Sequence, residues 1–159
     1  MPRRRYGAGR SSSSGFFLSS GKIRETQELP PGGVCNHPHM AARVLVVDDH
    51  PSFRRLASKL LASGGFEVVG EAADGRAALL EARRLRPDLV LLDVLLPDMS
   101  GFEVAEALAT DSNRARVVLV SSRNATDLGA ALERSMAAGF IAKSELTVER
   151  LVAVVEEAR

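Results

Sequence analysis

The sequence predicts an α/β fold, a single five-stranded parallel sheet with five helices on its two faces. Two observations carry this. From Arg43 onward, short continuous apolar runs rich in β-branched residues recur, the pattern of strands buried on both faces. Each run is followed by a segment with helical apolar spacing, and five such strand–helix units imply parallel strands joined by right-handed crossovers.

The first unit opens with Val44-Leu45-Val46-Val47 as a strand. Pro51 starts a helix at its first position, where a missing N–H costs nothing. Phe53, Leu56, Ala57, Leu60 and Leu61 follow at helical spacing, and Gly64-Gly65 stops the helix. Phe66 to Gly70 reads as the second strand. Asp74-Gly75 turns into a helix with Ala78, Leu79, Ala82 and Leu85 on one face, ending before Pro87. Leu89-Val90-Leu91-Leu92 is the third strand and Phe102 to Ala109 a short helix. Val117-Val118-Leu119-Val120 is the fourth strand, and Thr126 to Met136 its helix. Phe140-Ile141-Ala142 is a short fifth strand, and the last helix runs from Thr147 to Ala158 with Leu151, Val154, Val155 and Ala158 inward. Of the two common open arrangements, Rossmann-like and flavodoxin-like, five strands suit the second, with strand order 2-1-3-4-5. That order puts a ligand site beyond the carboxyl ends of the strands, near the switch between strands 1 and 3.

Residues 1–42 read differently. They are rich in Ser, Gly, Pro and Arg, with Ser11 to Ser14 and Pro30-Pro31-Gly32-Gly33, and hold no sustained apolar period. Such a segment buries too little surface to offset its ordering entropy, so a disordered N-terminal extension is expected ahead of a domain over residues 43–159. Its six basic and two acidic side chains give it +4, whereas residues 43–159 hold fifteen basic and eighteen acidic side chains, −3, which together make the chain's net +1. A mildly acidic domain has no general electrostatic attraction to nucleic acid. Cys35 is the only cysteine, so no internal disulfide forms, in keeping with a reducing compartment. With His37 and His39 it matches no usual zinc framework. Met40, directly before the domain, is a candidate translation start, which N-terminal sequencing would test. No apolar run approaches the ~20 residues needed to span a bilayer, and Phe16-Phe17-Leu18 is too short for a signal peptide. The expected location is cytoplasmic.

The residues that follow the strands carry the chemistry. Strand 1 ends at Asp48-Asp49, strand 3 at Asp93, strand 4 at Ser121-Ser122 and strand 5 at Lys143. Any one of these is ordinarily a cap, a turn residue or a solvated charge. In the predicted order, however, strands 1, 3, 4 and 5 are contiguous, so three carboxylates, a hydroxyl and an ammonium converge on one rim. Carboxylates gathered within several ångströms repel one another and need a raised pKa or a cation. A hard divalent ion is the natural solution, and Mg²⁺ is typical where phosphate is handled. An arriving phosphoryl group needs a nucleophile, a metal, a donor and a positive charge. Asp93 can be the nucleophile, giving an aspartyl phosphate. Asp48 and Asp49 can hold the metal, Ser121 can donate to one phosphoryl oxygen, and Lys143 can pair with another.

The motifs Val46-Val47-Asp48-Asp49-His50-Pro51, Pro87-Asp88-Leu89-Val90-Leu91-Leu92-Asp93, Leu96-Pro97-Asp98-Met99-Ser100-Gly101, Ser121-Ser122 and Gly139-Phe140-Ile141-Ala142-Lys143-Ser144 closely resemble the receiver domain of two-component response regulators. The resemblance covers roughly residues 43–158 and is closest to receivers of the NarL/FixJ type. It implies that Asp93 is the phosphoacceptor. It further implies that Asp49, with Asp48 directly or through water, binds Mg²⁺, with the backbone carbonyl of Leu95 and Asp93 itself as further ligands. Ser121 would be the switch hydroxyl, Phe140 the aromatic side chain that reorients with it, and Lys143 the phosphate-pairing cation. The implied donor is a phosphohistidine on a sensor histidine kinase or a histidine phosphotransfer protein. The implied output surface is the fourth helix, fifth strand and fifth helix, which would meet a downstream protein target and is also a candidate homodimer surface. Pro97 and Gly101 read as conformational residues, and His50 as part of the helix N-cap region.

Two positions depart from the family pattern. Met136 stands where a Gly usually closes the fourth helix, and a left-handed cap there would cost about 1 kcal/mol, so that helix is expected to end differently. Ser144 stands where many receivers have Pro, and a cis bond before Ser would cost roughly 3 kcal/mol. The chain as given ends after its fifth helix with no helix-turn-helix, so direct DNA reading is not expected of it, and neither is turnover of a separate substrate. Three competing classes fit the sequence less well. A phosphorylation-independent interaction module often lacks part of the acidic set with Lys143, which is complete here. A phosphoaspartate hydrolase needs a second Asp where this chain has Leu95. A flavin-binding protein of this fold needs a phosphate-cradling loop where this chain has Asp48-Asp49.

Overall fold

The apolar runs form the centre of a sheet. In the computed structural model, which describes residues 42–111 and 115–158, the elements are β1 (Arg43–Val47), α1 (Pro51–Ser63), β2 (Glu67–Ala72), α2 (Gly75–Leu85), β3 (Leu89–Asp93), α3 (Gly101–Thr110), β4 (Arg116–Ser121), α4 (Ala125–Glu133), β5 (Gly139–Ala142) and α5 (Val148–Glu157). The expectations for residues 1–41, including Cys35, His37, His39 and Met40, lie outside the described residues. All strand pairs are parallel, and the order is β2-β1-β3-β4-β5, as the sequence predicts.

Alternate side chains along each strand serve opposite faces. Val44 and Val46 of β1, with Leu89 and Leu91 of β3, pack against Ala57 and Leu61 of α1 and Leu151 and Val155 of α5. Leu45, Val47, Val90 and Leu92 point the other way, onto Ala78 and Ala82 of α2 and Val104 and Leu108 of α3. This two-sided burial is why the three central strands read as unbroken apolar runs. The edge strand β2 runs to Ala72, two residues beyond the predicted end, and its register with β1 skips one residue of β2 between the partners of Val44 and Leu45.

Three helices begin with side-chain caps. Asp74 accepts from the N–H of Ala77 at 2.7 Å, and Thr147 from that of Arg150 at 3.1 Å. Ser100 and Glu103 form a reciprocal capping box. Each cap follows a strand end and so fixes where the chain turns beside the site.

The fourth helix corrects the expectation. Predicted over Thr126 to Met136, α4 stops at Glu133, and it is broken internally at Gly129, whose φ of 39° and ψ of −127° are not helical. No α4 side chain is buried. Met136, 63% exposed, does not adopt a left-handed cap, since Arg86 is the only described non-glycine residue with positive φ. The helix ends early instead, which avoids the roughly 1 kcal/mol that the cap would cost. Among the described residues, no helix is long and apolar enough to cross a membrane.

Candidate functional site

The carboxyl ends of β1, β3 and β5 meet at one point. Asp48 leaves β1 fully buried, and its backbone N–H donates to the Ala72 carbonyl at 3.1 Å. Asp93 closes β3 and is also buried. Lys143 follows β5 and reaches back, its Nζ donating to Asp93 Oδ2 at 2.7 Å and pairing with Asp48 Oδ2 at 2.5 Å. Asp49 lies at the more open side, with its Oδ1 2.5 Å from His50 Nδ1. One ligating atom from each of Asp48, Asp49, His50 and Asp93 falls within a 4.8 Å cluster.

The turns around these residues are held locally. After β1, the His50 N–H donates to Asp48 Oδ1 at 2.8 Å. Arg54, in the first turn of α1, donates from Nη1 to the Asp48 carbonyl at 2.5 Å and from Nε to Glu71 Oε2 at 3.2 Å. Ser58 Oγ donates to the other oxygen of Glu71 at 2.7 Å. After β3, the Leu95 N–H donates to Asp93 Oδ1 at 3.1 Å, and the Gly101 N–H to the Val94 carbonyl at 2.8 Å. A Cβ at Gly101 would collide with the carbonyl oxygen of Asp93, so this close approach requires glycine. Asp98 ties the same loop to the start of α2 by accepting from the N–H groups of Gly75 and Arg76 at 2.8 and 2.9 Å. The Gly75 N–H is the main reason its carboxyl is held below the ordinary value.

Burial dominates the electrostatics of the cup. It pushes the Asp93 carboxyl above its ordinary value, against the opposing pull of the Lys143 hydrogen bond, the Leu95 N–H and the Lys143 charge. Burial alone would lower the Lys143 ammonium. The hydrogen bonds and charges of Asp48 and Asp93 outweigh it and hold Lys143 above its ordinary value. The ammonium therefore stays charged while largely desolvated, its side chain being 13% exposed.

The sequence-predicted residues divide into two groups. Asp48, Asp49, Asp93 and Lys143 come together. Leu95 enters through its N–H to Asp93, while its side chain is 51% exposed. Ser121 ends the neighbouring strand and is buried, with its hydroxyl accepting from the Arg123 N–H at 3.1 Å. Phe140, paired in register with Leu119 of β4, packs against the apolar cluster on the α2–α3 face. It lines a groove with Thr126, Leu132, Glu145 and Arg150. Sequence reasoning missed three contributors. His50 lies against the acidic pair, Arg54 anchors the Asp48 backbone, and the Phe53 ring centroid is 4.6 Å from Lys143 Nζ. Their common signal is that a helix starting at Pro51 brings its first turn back beside the strand end that precedes it.

The donor set suits a hard divalent cation, with three carboxylates gathered at the strand ends and one buried oxygen, Asp48 Oδ2, whose close cation is Lys143 alone among the described residues.

Comparison with known proteins gives the family. The family model described as response regulator receiver domain matches residues 44–156. The transcriptional regulatory protein NarL of Mycobacterium tuberculosis is 39% identical over 118 residues, covering 74% of this chain and 55% of that protein. The solved signal receiver domain of the response regulator NarL from Mycobacterium tuberculosis is 40% identical with a TM-score of 0.64, covering 74% of this chain and 96% of that one. The chemotaxis response regulator CheY4 of Vibrio cholerae is 30% identical with a TM-score of 0.64, covering 75% and 99%. The chain spans about half the length of curated regulators that it matches, 54% and 55% for two of them.

Proposed function

This chain belongs to the response regulator receiver family of two-component systems, and we propose that it takes a phosphoryl group onto Asp93 and signals by the change that follows. The observation that carries this reading is the Lys143 ammonium held between Asp93 and Asp48 beside a third carboxylate, Asp49. Burial raises the Asp93 carboxyl above its ordinary value, and the Lys143 hydrogen bond opposes that by favouring the ionised form, which is the nucleophile. A P–O bond forms at Asp93 as the P–N bond of a donor phosphohistidine breaks, with the bonding pair leaving on the imidazole nitrogen. Lys143 then pairs with a phosphoryl oxygen, and the Ser121 hydroxyl, which accepts from the Arg123 N–H, donates its O–H to another. Asp48, Asp49 and Asp93, with the Leu95 carbonyl, are the proposed Mg²⁺ ligands, and the bound ion supplies charge neutralisation at the phosphoryl oxygens. The donor is a sensor histidine kinase or a histidine phosphotransfer protein. The chain carries out only its own phosphorylation and dephosphorylation.

Ser121 ends β4 and Lys143 directly follows β5, so their response reaches α4, Phe140 and α5. That surface is the proposed contact for a downstream protein or a second copy. An added charge of about −1.5 to −2 at the rim is enough to bias two states separated by a few kcal/mol. The test is incubation with acetyl phosphate and Mg²⁺, followed by intact mass and mapping. One phosphoryl group at Asp93, absent in Asp93→Asn, is the expected result. Uptake retained by that variant overturns the assignment.

A further inference from the structure

In the proposed reaction Lys143 stays beside Asp93 before and after the phosphoryl group arrives, yet both of its anionic partners change role in that event. Asp93 becomes the acceptor, and Asp48 is also a proposed metal ligand. A third contact depends on neither. Phe53, in the first turn of α1, rests against the apolar cluster on the α1–α5 face. Its ring centroid lies 4.6 Å from Lys143 Nζ, within the distance at which a ring face attracts a cation. Helical spacing alone assigns Phe53 to the core, and it is only partly buried there, with one side available to the ammonium. We propose that Phe53 is a positioning residue whose ring face holds the Lys143 ammonium at Asp93. The role rests on the reading of Asp93 as the phosphoacceptor.

The Lys143 side chain is 13% exposed, so loss of the ring face leaves fewer favourable orientations pointing at Asp93. Cation–π attraction between an exposed and a desolvated cation corresponds to roughly 3-fold to 30-fold in a rate that depends on Lys143 being in place. A leucine at position 53 keeps apolar contact with the core but removes the ring. A tyrosine keeps the ring.

The experiment compares wild type, Phe53→Leu and Phe53→Tyr, after thermal melts show that all three fold. One readout is the side-chain NMR signal of Lys143, resolvable because the sequence holds only three lysines, Lys22, Lys59 and Lys143. The Lys143 Hε protons are expected to show a ring-current shift that survives in Phe53→Tyr and disappears in Phe53→Leu. The other readout is the rate of phosphorylation by acetyl phosphate and Mg²⁺, expected to fall roughly 3-fold to 30-fold in Phe53→Leu and to stay near wild type in Phe53→Tyr. Equal rates for all three proteins, an equal fall in both variants, or an unshifted Lys143 signal in wild type overturns the proposal. If wild type takes no phosphoryl group at Asp93, the function fails separately, and the NMR signal still decides whether the ring holds the ammonium.

Discussion

Replacing Lys143 with methionine tests the electrostatics of the cup directly. The substitution removes the 2.7 Å hydrogen bond to Asp93 and the 2.5 Å ion pair with Asp48, leaving two buried carboxylates facing each other. A hydrogen bond to a charged group contributes about 1.5–3 kcal/mol, and breaking a fully buried pair costs about 3–5 kcal/mol. Two features reduce the loss here. Methionine keeps apolar contact with Phe53, and the cup opens toward Asp49. There is also a ceiling, because a carboxyl with an ordinary value of 3.8 can be protonated near pH 7 for about 4 kcal/mol, and Asp93 already lies above that value. The expected loss in metal-free protein is therefore about 2–3 kcal/mol at about pH 7. Its pH dependence has a definite sign. Without Lys143, Asp93 moves further above its unfolded value, so the folded variant holds a proton that the unfolded chain releases. Variant stability then falls as pH rises from the unfolded value toward the folded one, and the loss shrinks to below about 1 kcal/mol near pH 4. Urea denaturation in the presence of a chelator, at both pH values, measures this. A variant as stable as wild type at neutral pH, or an equal loss at both, refutes the reasoning.

Asp93→Asn removes a buried carboxyl whose folded value is raised, so it should stabilise the metal-free protein at neutral pH, with the gain vanishing as pH falls through the unfolded value of 3.8; paired urea titrations would show it. Gly101→Ala drives a methyl group into the Asp93 carbonyl and should cost about 2 kcal/mol or more, read by thermal melting together with slower phosphorylation at Asp93. Mg²⁺ at a hundredfold excess over its Kd should stabilise the fold by about 2.7 kcal/mol, and Asp49→Asn should remove most of that gain in the same melt. Asp98 is held below its ordinary value by the Gly75 N–H, so its contribution is present above 3.8 and lost as pH falls through the lower folded value; the Tm difference between wild type and Asp98→Ala should close in acid.

The sheet was legible because its signal is one-dimensional. A strand buried on both faces must be apolar at every position, so Val44–Val47, Leu89–Leu92 and Val117–Val120 could be read without knowing their neighbours. The polar residue that ends each run is legible for the same reason, which is how Asp48, Asp93 and Lys143 were found. The α4 boundaries were not. Only Leu128 and Leu132 of that helix pack against the core, both partly buried, so the apolar stripe is too short to mark its ends, and the break at Gly129 depends on a φ of 39° that composition does not announce.

Periodicity also hides what a helix does with its first turn. Phe53 and Arg54 follow the acidic pair too closely to be read as anything but the opening of α1, one apolar and one solvated. Yet a helix separated by only three residues from a buried strand starts beside that strand's end, so its first side chains are carried to the rim where the strand-end groups gather. Arg54 then finds the Asp48 carbonyl, and Phe53 finds Lys143, a residue ninety positions away in the sequence. The strand ends supply the charges of the cup, and α1 supplies contacts that keep them in place. Substitutions in this turn should therefore alter the chemistry at Asp93 without touching any of its carboxylates.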